Sequence, residues 1–300
     1  MDVHSNDINT NEFYIRNLGD TYFFPPRELQ DGLESVLIHT ENTKKRSIPN
    51  GSAWQYRLGT PYNPAILRDD VGCGITGYIH SPFPLDMQSA KDITTILAEE
   101  DIHIGGGNHF INFMRTLPQH DQAQLALIHS DMNSSKYTPK SFDEALQREN
   151  DARELRREVM HTVFDRLGVL YEEYHDWTHN AVRKGPESIT YRKGMIDLRE
   201  SDNVGLLPVS PYDSVVLYAG LDNQEMIFQH GSGKLASKGT DHSKTPTVQK
   251  NHVITRMTRG MHVPDGLYEE FQHSQVFFDT FFHKKLTLGH VRPGLWVQAR

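Results

Sequence analysis

The run from Ser141 to about Leu167 predicts one long helix near the middle of the chain, and every other segment has to pack around it. Ser141 and Glu144 form a capping-box pattern, and Gly168 is placed to end the helix. Leu155, Val159, Val163 and Leu167 recur every four residues, which makes one apolar stripe that must be covered by core. Asp86 to Glu100 predicts a second, shorter helix, with Met87, Ala90, Ile93, Ile96 and Leu97 at helical spacing. Between and beyond the helices lie short apolar runs at Leu125 to Ile128, Val215 to Tyr218 and Met226 to Gln229. These read as strands, each followed closely by His or Gly, so chemistry is expected at strand ends. Leu267 to Leu286 carries Phe271, Phe277, Phe278, Phe281 and Phe282 and is expected to be buried. With no internal repeat and no clear linker, the expected fold is one α+β domain with mixed β-sheets and flanking helices. Residues 1 to 68, broken by Pro25, Pro26, Pro49, Gly51, Pro61 and Pro64, are expected to pack on a functional region spanning 69 to 300.

No apolar stretch approaches the roughly 18 residues of a membrane span. Met1 to Asn11 is polar and acidic, unlike an export signal, so a cytoplasmic protein is expected. The single cysteine, Cys73, cannot form an internal disulfide and is available for reactivity or metal. A formal charge of −8 argues against non-specific coating of nucleic acid, which depends on Lys and Arg. Locally the balance reverses: Lys234, Lys238, Lys244, Lys250, Arg256 and Arg259 face one acid, Asp241, across that stretch. Lys44, Lys45 and Arg46 form a smaller cluster. Each is either a solvated loop face or a local phosphate-binding patch.

Seventeen histidines are many for a chain of 300 residues, and several sit beside Gly, Asn or Asp rather than in apolar stripes. Asp70-Val-Gly-Cys73-Gly sets a carboxylate and a thiol three residues apart, with glycines that allow a tight turn. The pair could face one cation, for which thiolate, carboxylate and imidazole donors suit Zn, Mn or Fe better than Mg or Ca; a buried structural cysteine is the plainer reading. Gly105-Gly-Gly-Asn108-His109 is either a glycine turn or a backbone approach to phosphate or metal. His129-Ser130 ends a predicted strand, where an inward polar pair needs a reason. His175-Asp-Trp-Thr-His179 would put two imidazoles on one face of a helix, a rival zinc-hydrolase site with Asp176 in place of glutamate. His230-Gly-Ser-Gly-Lys234 fails the P-loop pattern at Phe228 and Leu235. It still offers a histidine at a strand end, glycine amides for phosphate and a lysine to neutralise it, so His230 could be a nucleophile toward phosphorus.

Taken in order, these pieces resemble the RtcB family of RNA ligases from Asp70 to the C-terminus. Asp70 to Gly74 matches D-x-x-C-G, Gly105 to His109 matches G-x-G-N-H, and His129-Ser130 opens H-S-G-S-R. His179-Asn180, Tyr191 to Gly194, Pro208 to Ser214, His230 to Lys238 and Arg292-Pro293 follow in the family's order. The resemblance implies an RtcB-like domain around a central metal cleft, with two manganese ions held by Asp70, Cys73, His109, His129 and His179, Cys73 bridging. It implies that His230 takes GMP from GTP, with Asn108, Asn180, Ser210 and Lys234 holding the nucleotide. It further implies RNA partners with a 3'-phosphate or 2',3'-cyclic phosphate and a 5'-hydroxyl, joined in RNA repair or tRNA processing. The chain departs from the pattern at Asp131 to Asn133, Asn112, Tyr191, Lys234 and Gln298. A metal-dependent phosphoesterase or other metallohydrolase, and a silent relative that binds RNA ends, are the alternatives.

Overall fold

A computed structural model of the chain describes residues 8–10, 12–17, 23–38, 48–105, 109–114, 123–131, 137–201, 204–207, 215–219, 227–229, 247–249, 252–256, 286–291 and 293–298. In chain order the elements begin with β1 (Ile8–Asn9), β2 (Tyr14–Asn17), β3 (Leu33–Ile38), β4 (Ser52–Arg57), α1 (Pro64–Leu67), β5 (Gly74–His80) and α2 (Met87–Glu99). They continue with β6 (Phe110–Met114), β7 (Gln124–Ser130), α3 (Phe142–Leu167), β8 (Tyr171–Thr178), β9 (Asn180–Lys184), β10 (Ser188–Lys193) and β11 (Met195–Asp197). The last are β12 (Val204–Leu207), β13 (Val215–Ala219), β14 (Ile227–Gln229), β15 (Thr247–Gln249), β16 (His252–Arg256), β17 (Leu286–Val291) and β18 (Pro293–Gln298).

The fold is mixed α+β. Its larger sheet runs β15-β16-β18-β6-β7-β5-β8 and its second runs β1-β2-β3-β4-β10-β9, with smaller sheets β12-β13-β17 and β11-β14. In the larger sheet β6, β7, β5 and β8 are all antiparallel to their neighbours. Among the described residues, no helix is long and apolar enough to cross a membrane.

Both expected helices form for the expected reasons. Asp86 caps α2 by accepting from the Ser89 amide at 2.9 Å, and Ser141 caps α3 by accepting from the Glu144 amide at 3.2 Å. Gly168 closes α3 in the left-handed conformation, at φ 65°. Val159, Met160, Val163 and Phe164 of α3 join Ile93, Ile96 and Leu97 of α2 over Tyr78, Ile111, Phe113, Ala126 and Ile128 of the larger sheet. Each such side chain contributes roughly 1.5–3 kcal/mol when fully buried. Leu155 and Leu167, expected in the same stripe, are only partly buried against this core.

The N-terminal segment builds structure that its turn-rich sequence hides. Its strands β1 to β4 join β10 and β9, with β4 lying antiparallel to β10 from Ser188↔Arg57 to Lys193↔Ser52. Trp54, Tyr56, Val182 and Tyr191 fill a second core there, to which α3 contributes Ala145 and Phe142. The helix therefore bridges both cores. The expected strands at Leu125, Val215 and Met226 appear as β7, β13 and β14. Residues 267–285 lie outside the described residues.

Candidate metal centre

Four antiparallel neighbours bring four donor residues to one edge of the larger sheet. Cys73 immediately precedes β5 and His109 immediately precedes β6, while His129 lies one residue from the end of β7 and His179 follows β8. Because β5 and β6 start where β7 and β8 finish, these positions are spatial neighbours. Gly74 pairs with both Ser130 and Thr178, and Phe110 pairs with His129. Cross-strand partners share a face, so His129 lies on the same face as Phe110, Ile75 and Trp177, opposite the face packed by α2 and α3.

The loop before β5 is shaped by the helix beside it. Gly72 has φ +86°, and a Cβ there would lie 2.8 Å from the Ala152 side chain and 3.0 Å from the α3 backbone. Its amide donates to the Asn180 carbonyl at 2.8 Å, and the Cys73 carbonyl accepts from the His179 amide at 3.0 Å. The Cys73 and His179 segments are thereby tied together. Gly105 has a similar reason to be glycine: at φ +105°, a Cβ would fall 1.8 Å from Nδ1 of His109.

The donor atoms converge. Sγ of Cys73 lies 3.5 Å from Nε2 of His109 and 3.3 Å from Nε2 of His129. Nε2 of His129 lies 3.3 Å from Nε2 of His179. All four residues are buried, His129 completely. Cys73, His109 and His129 have donor atoms within 4.8 Å of one another, and His179 joins through His129. A cation about 2.1 Å from nitrogen and about 2.3 Å from sulfur would set tetrahedral donors roughly 3.4–3.6 Å apart. The three separations lie close to that spacing, so Cys73, His109 and His129 fit a metal ion, with His179 beside them.

Burial pushes the Cys73 thiol well above its ordinary range, and Asp131 and Asp70 push the same way against Arg156 and Lys193. A cation among these donors would favour the thiolate that the protein environment disfavours. Sulfur with imidazole nitrogen suits Zn, Fe or Mn better than Mg or Ca.

Asp70 stands beside this group, its Oδ2 accepting from Nζ of the buried Lys193 at 3.1 Å. Asn180 is buried, and its Oδ1 accepts from the Gly194 amide at 2.6 Å. Tyr191, one of the departures from the family pattern, is buried and its Oη accepts from the Asn63 amide at 2.8 Å. Asn108, Ser210, His230 and Lys234 lie outside the described residues.

The rival two-histidine helix is not formed. His175 sits within β8, where four residues extend about 13 Å, and its Nε2 contacts the Glu200 carbonyl at 3.1 Å. Asp176, the expected general base, is instead buried against Arg156 at 2.9 Å. Burial alone would raise that carboxyl, but Arg156, Thr178, Thr76 and Arg153 outweigh it and hold it at about 2. Such a group is a structural ion, not a proton acceptor at neutral pH.

His80, buried at the far end of β5 among Phe83, Phe113 and Phe164, stands apart from the donor cluster. Its Nδ1 donates to the Ser81 carbonyl at 2.9 Å, and burial lowers its pKa from 6.5 to about 4. A depressed histidine contributes stability above its unfolded value that is lost as pH falls toward its folded value. Stability is therefore expected to fall by roughly 3 kcal/mol between about pH 6.5 and 4 on this group's account. Urea titrations across that range would show it, and a His80→Phe variant with the same pH slope would refute it.

Asp131, which the sequence marks only as a change in the H-S-G-S-R loop, also reaches the cluster. Its Oδ2 lies 3.8 Å from Nε2 of His109. An acid two residues beyond a strand-end histidine is the one signal of it in the sequence.

No family model matches the chain, and no curated protein is significantly similar to it in sequence.

Proposed function

We propose that the chain is a manganese- and GTP-dependent RNA ligase of the RtcB type, joining an RNA 3'-phosphate or 2',3'-cyclic phosphate end to a 5'-hydroxyl end. One observation carries the reading: His109, Cys73, His129 and His179 meet at one end of the larger sheet's strands, each donor atom 3.3–3.5 Å from the next in that order. They are four of the five residues that the resemblance assigns to metal, Asp70 being the fifth. Two further contacts support it. The buried Lys193, from the Tyr191 to Gly194 motif, donates to Asp70 Oδ2 at 3.1 Å and ties that carboxylate beside the cluster. The side-chain amide of Asn112 is fully buried with no partner among the described residues. It shares the sheet face of His129, since Phe110↔His129 and Asn112↔Leu127 are successive same-face pairs.

In this reading His230 attacks the α-phosphorus of GTP, a P–N bond forms and pyrophosphate leaves. The RNA 3'-phosphate then takes the GMP, and the 5'-hydroxyl attacks the activated 3'-phosphorus with release of GMP. Manganese, when bound, supplies positive charge against the developing charge on the phosphate oxygens. Lys234 adds a second cation, and Asn108, Asn180 and Ser210 orient the nucleotide. The test is incubation with α-labelled GTP and manganese. A covalent adduct is expected in the parent chain and absent in His230→Ala; no adduct in the parent would overturn the ligase reading.

The geometry also favours a second reading. A single cation held by Cys73, His109 and His129, whose donor atoms lie within 4.8 Å of one another, with His179 swung in from beside His129 as the fourth donor, would saturate a tetrahedral site, the arrangement of structural zinc. Cys73 shared between two cations would instead leave positions open for substrate. The metal count decides: two per chain supports the ligase, one firmly held zinc supports the structural site.

A further inference from the structure

We propose that Arg156 of α3 is a positioning residue that holds the strand ends bearing Cys73, His129 and His179 in the register the metal centre needs. The inference rests on reading those three residues as cation ligands.

Arg156 is completely buried, and its guanidinium spans the base of the site. Nη1 donates to the Gly72 carbonyl at 2.9 Å and to the Ser130 carbonyl at 3.1 Å. Nη2 donates to Thr178 Oγ1 at 3.2 Å and to Asp176 Oδ2 at 2.9 Å. Nε donates to Thr76 Oγ1 at 2.9 Å and to Asp176 Oδ2 at 3.1 Å. Three of these acceptors adjoin a donor residue in the chain: Gly72 precedes Cys73, Ser130 follows His129, and Thr178 precedes His179.

The planar fork fixes its acceptors relative to one another as a lysine ammonium could not. One rigid group therefore sets the mutual placement of three segments distant in sequence. Gly74 is shaped to admit it, since a Cβ there would meet Nη2 at 2.7 Å and Cζ at 2.9 Å. Asp176 balances the charge, and Thr76 and Thr178 each donate to that carboxylate as well as accepting from Arg156. Without the guanidinium, no cation would draw the Gly72 and Ser130 carbonyls together. Groups just behind metal ligands act by orienting them, and displacing such a group commonly weakens metal binding about 10–100-fold.

Cobalt(II) is a suitable probe, because its visible absorption reports ligand number and geometry and its near-ultraviolet band reports thiolate bonding. The parent chain, Arg156→Met, Arg156→Lys, Thr178→Val and Arg183→Met are titrated with cobalt, and folding is checked by circular dichroism. Arg156→Met is expected to weaken cobalt binding about 10–100-fold and to shift the visible bands. Arg156→Lys should restore part of the affinity, and Thr178→Val should lose less than Arg156→Met. Arg183→Met, which breaks the ion pairs with Glu149 and Glu200 but leaves every hydrogen bond of Arg156 in place, should lose stability but keep the parent spectrum and affinity. A folded Arg156→Met with parent affinity and spectrum would overturn the proposal. If that variant does not fold, unchanged cobalt binding in both Arg156→Lys and Thr178→Val would overturn it equally. A parent chain that takes up no cobalt defeats the metal reading itself, and this inference with it.

Discussion

Replacing His129 by alanine is expected to remove tight metal binding. His129 is the central donor, 3.3 Å from Cys73 Sγ and 3.3 Å from His179 Nε2, so its loss separates the site into two incomplete halves. Structural metal sites with four donors bind with about 10–16 kcal/mol, so one donor accounts for roughly 3 kcal/mol, or a factor of more than about 100. Competition against a chelating dye measures it directly. His175→Ala is the control, because its imidazole contacts the Glu200 carbonyl in the middle of β8. Equal metal affinity in His129→Ala and the parent chain would dismiss the cluster as a metal site.

The second large effect is expected at Gly72, compared with Gly59. Both have positive φ, +86° and +95°, so alanine at either costs about 1–2 kcal/mol in backbone strain. At Gly59 nothing lies within 4 Å of the added Cβ, and the cost should stop there. At Gly72 the Cβ would press on Ala152 at 2.8 Å and on the Arg148 and Glu149 backbone at 3.0 Å. Overpacking of that kind adds about 1–3 kcal/mol, for a total of about 2–5 kcal/mol. Urea unfolding of the two variants gives the difference. Equal losses would mean that the loop before β5 moves away from α3 freely and that the helix does not shape it.

The helices were legible because their caps and periodicity are local, and Asp86, Ser141 and Gly168 act as their positions predict. The histidines at strand ends were legible for a related reason, since a polar residue that closes an apolar run is costly to bury unless something binds it. Two things were hidden. The six-stranded sheet depends on partners far apart in the chain, such as Tyr56 with Ile189, and short strands among prolines carry no periodic trace. Arg156 was hidden because an arginine within a charged helix looks like a residue of its solvated face, and only the opposing glycine loop shows that it points inward. The His175 to His179 pair misled because four residues mean one face in a helix but about 13 Å of travel in a strand.

The placement of the donors at the ends of four different strands also bears on how the protein is made. Cys73, His109, His129 and His179 are separated by a helix, a hairpin and a second helix, so all four come together only once the chain has folded through β8. Non-local contacts of this kind are formed late, after the entropy of closing long loops has been overcome. A chain released before β8 docks would hold three of the four donors and compete poorly for metal. Metal capture would then distinguish molecules in which β8 has docked from those in which it has not, and the rate of metal uptake during refolding would time that step.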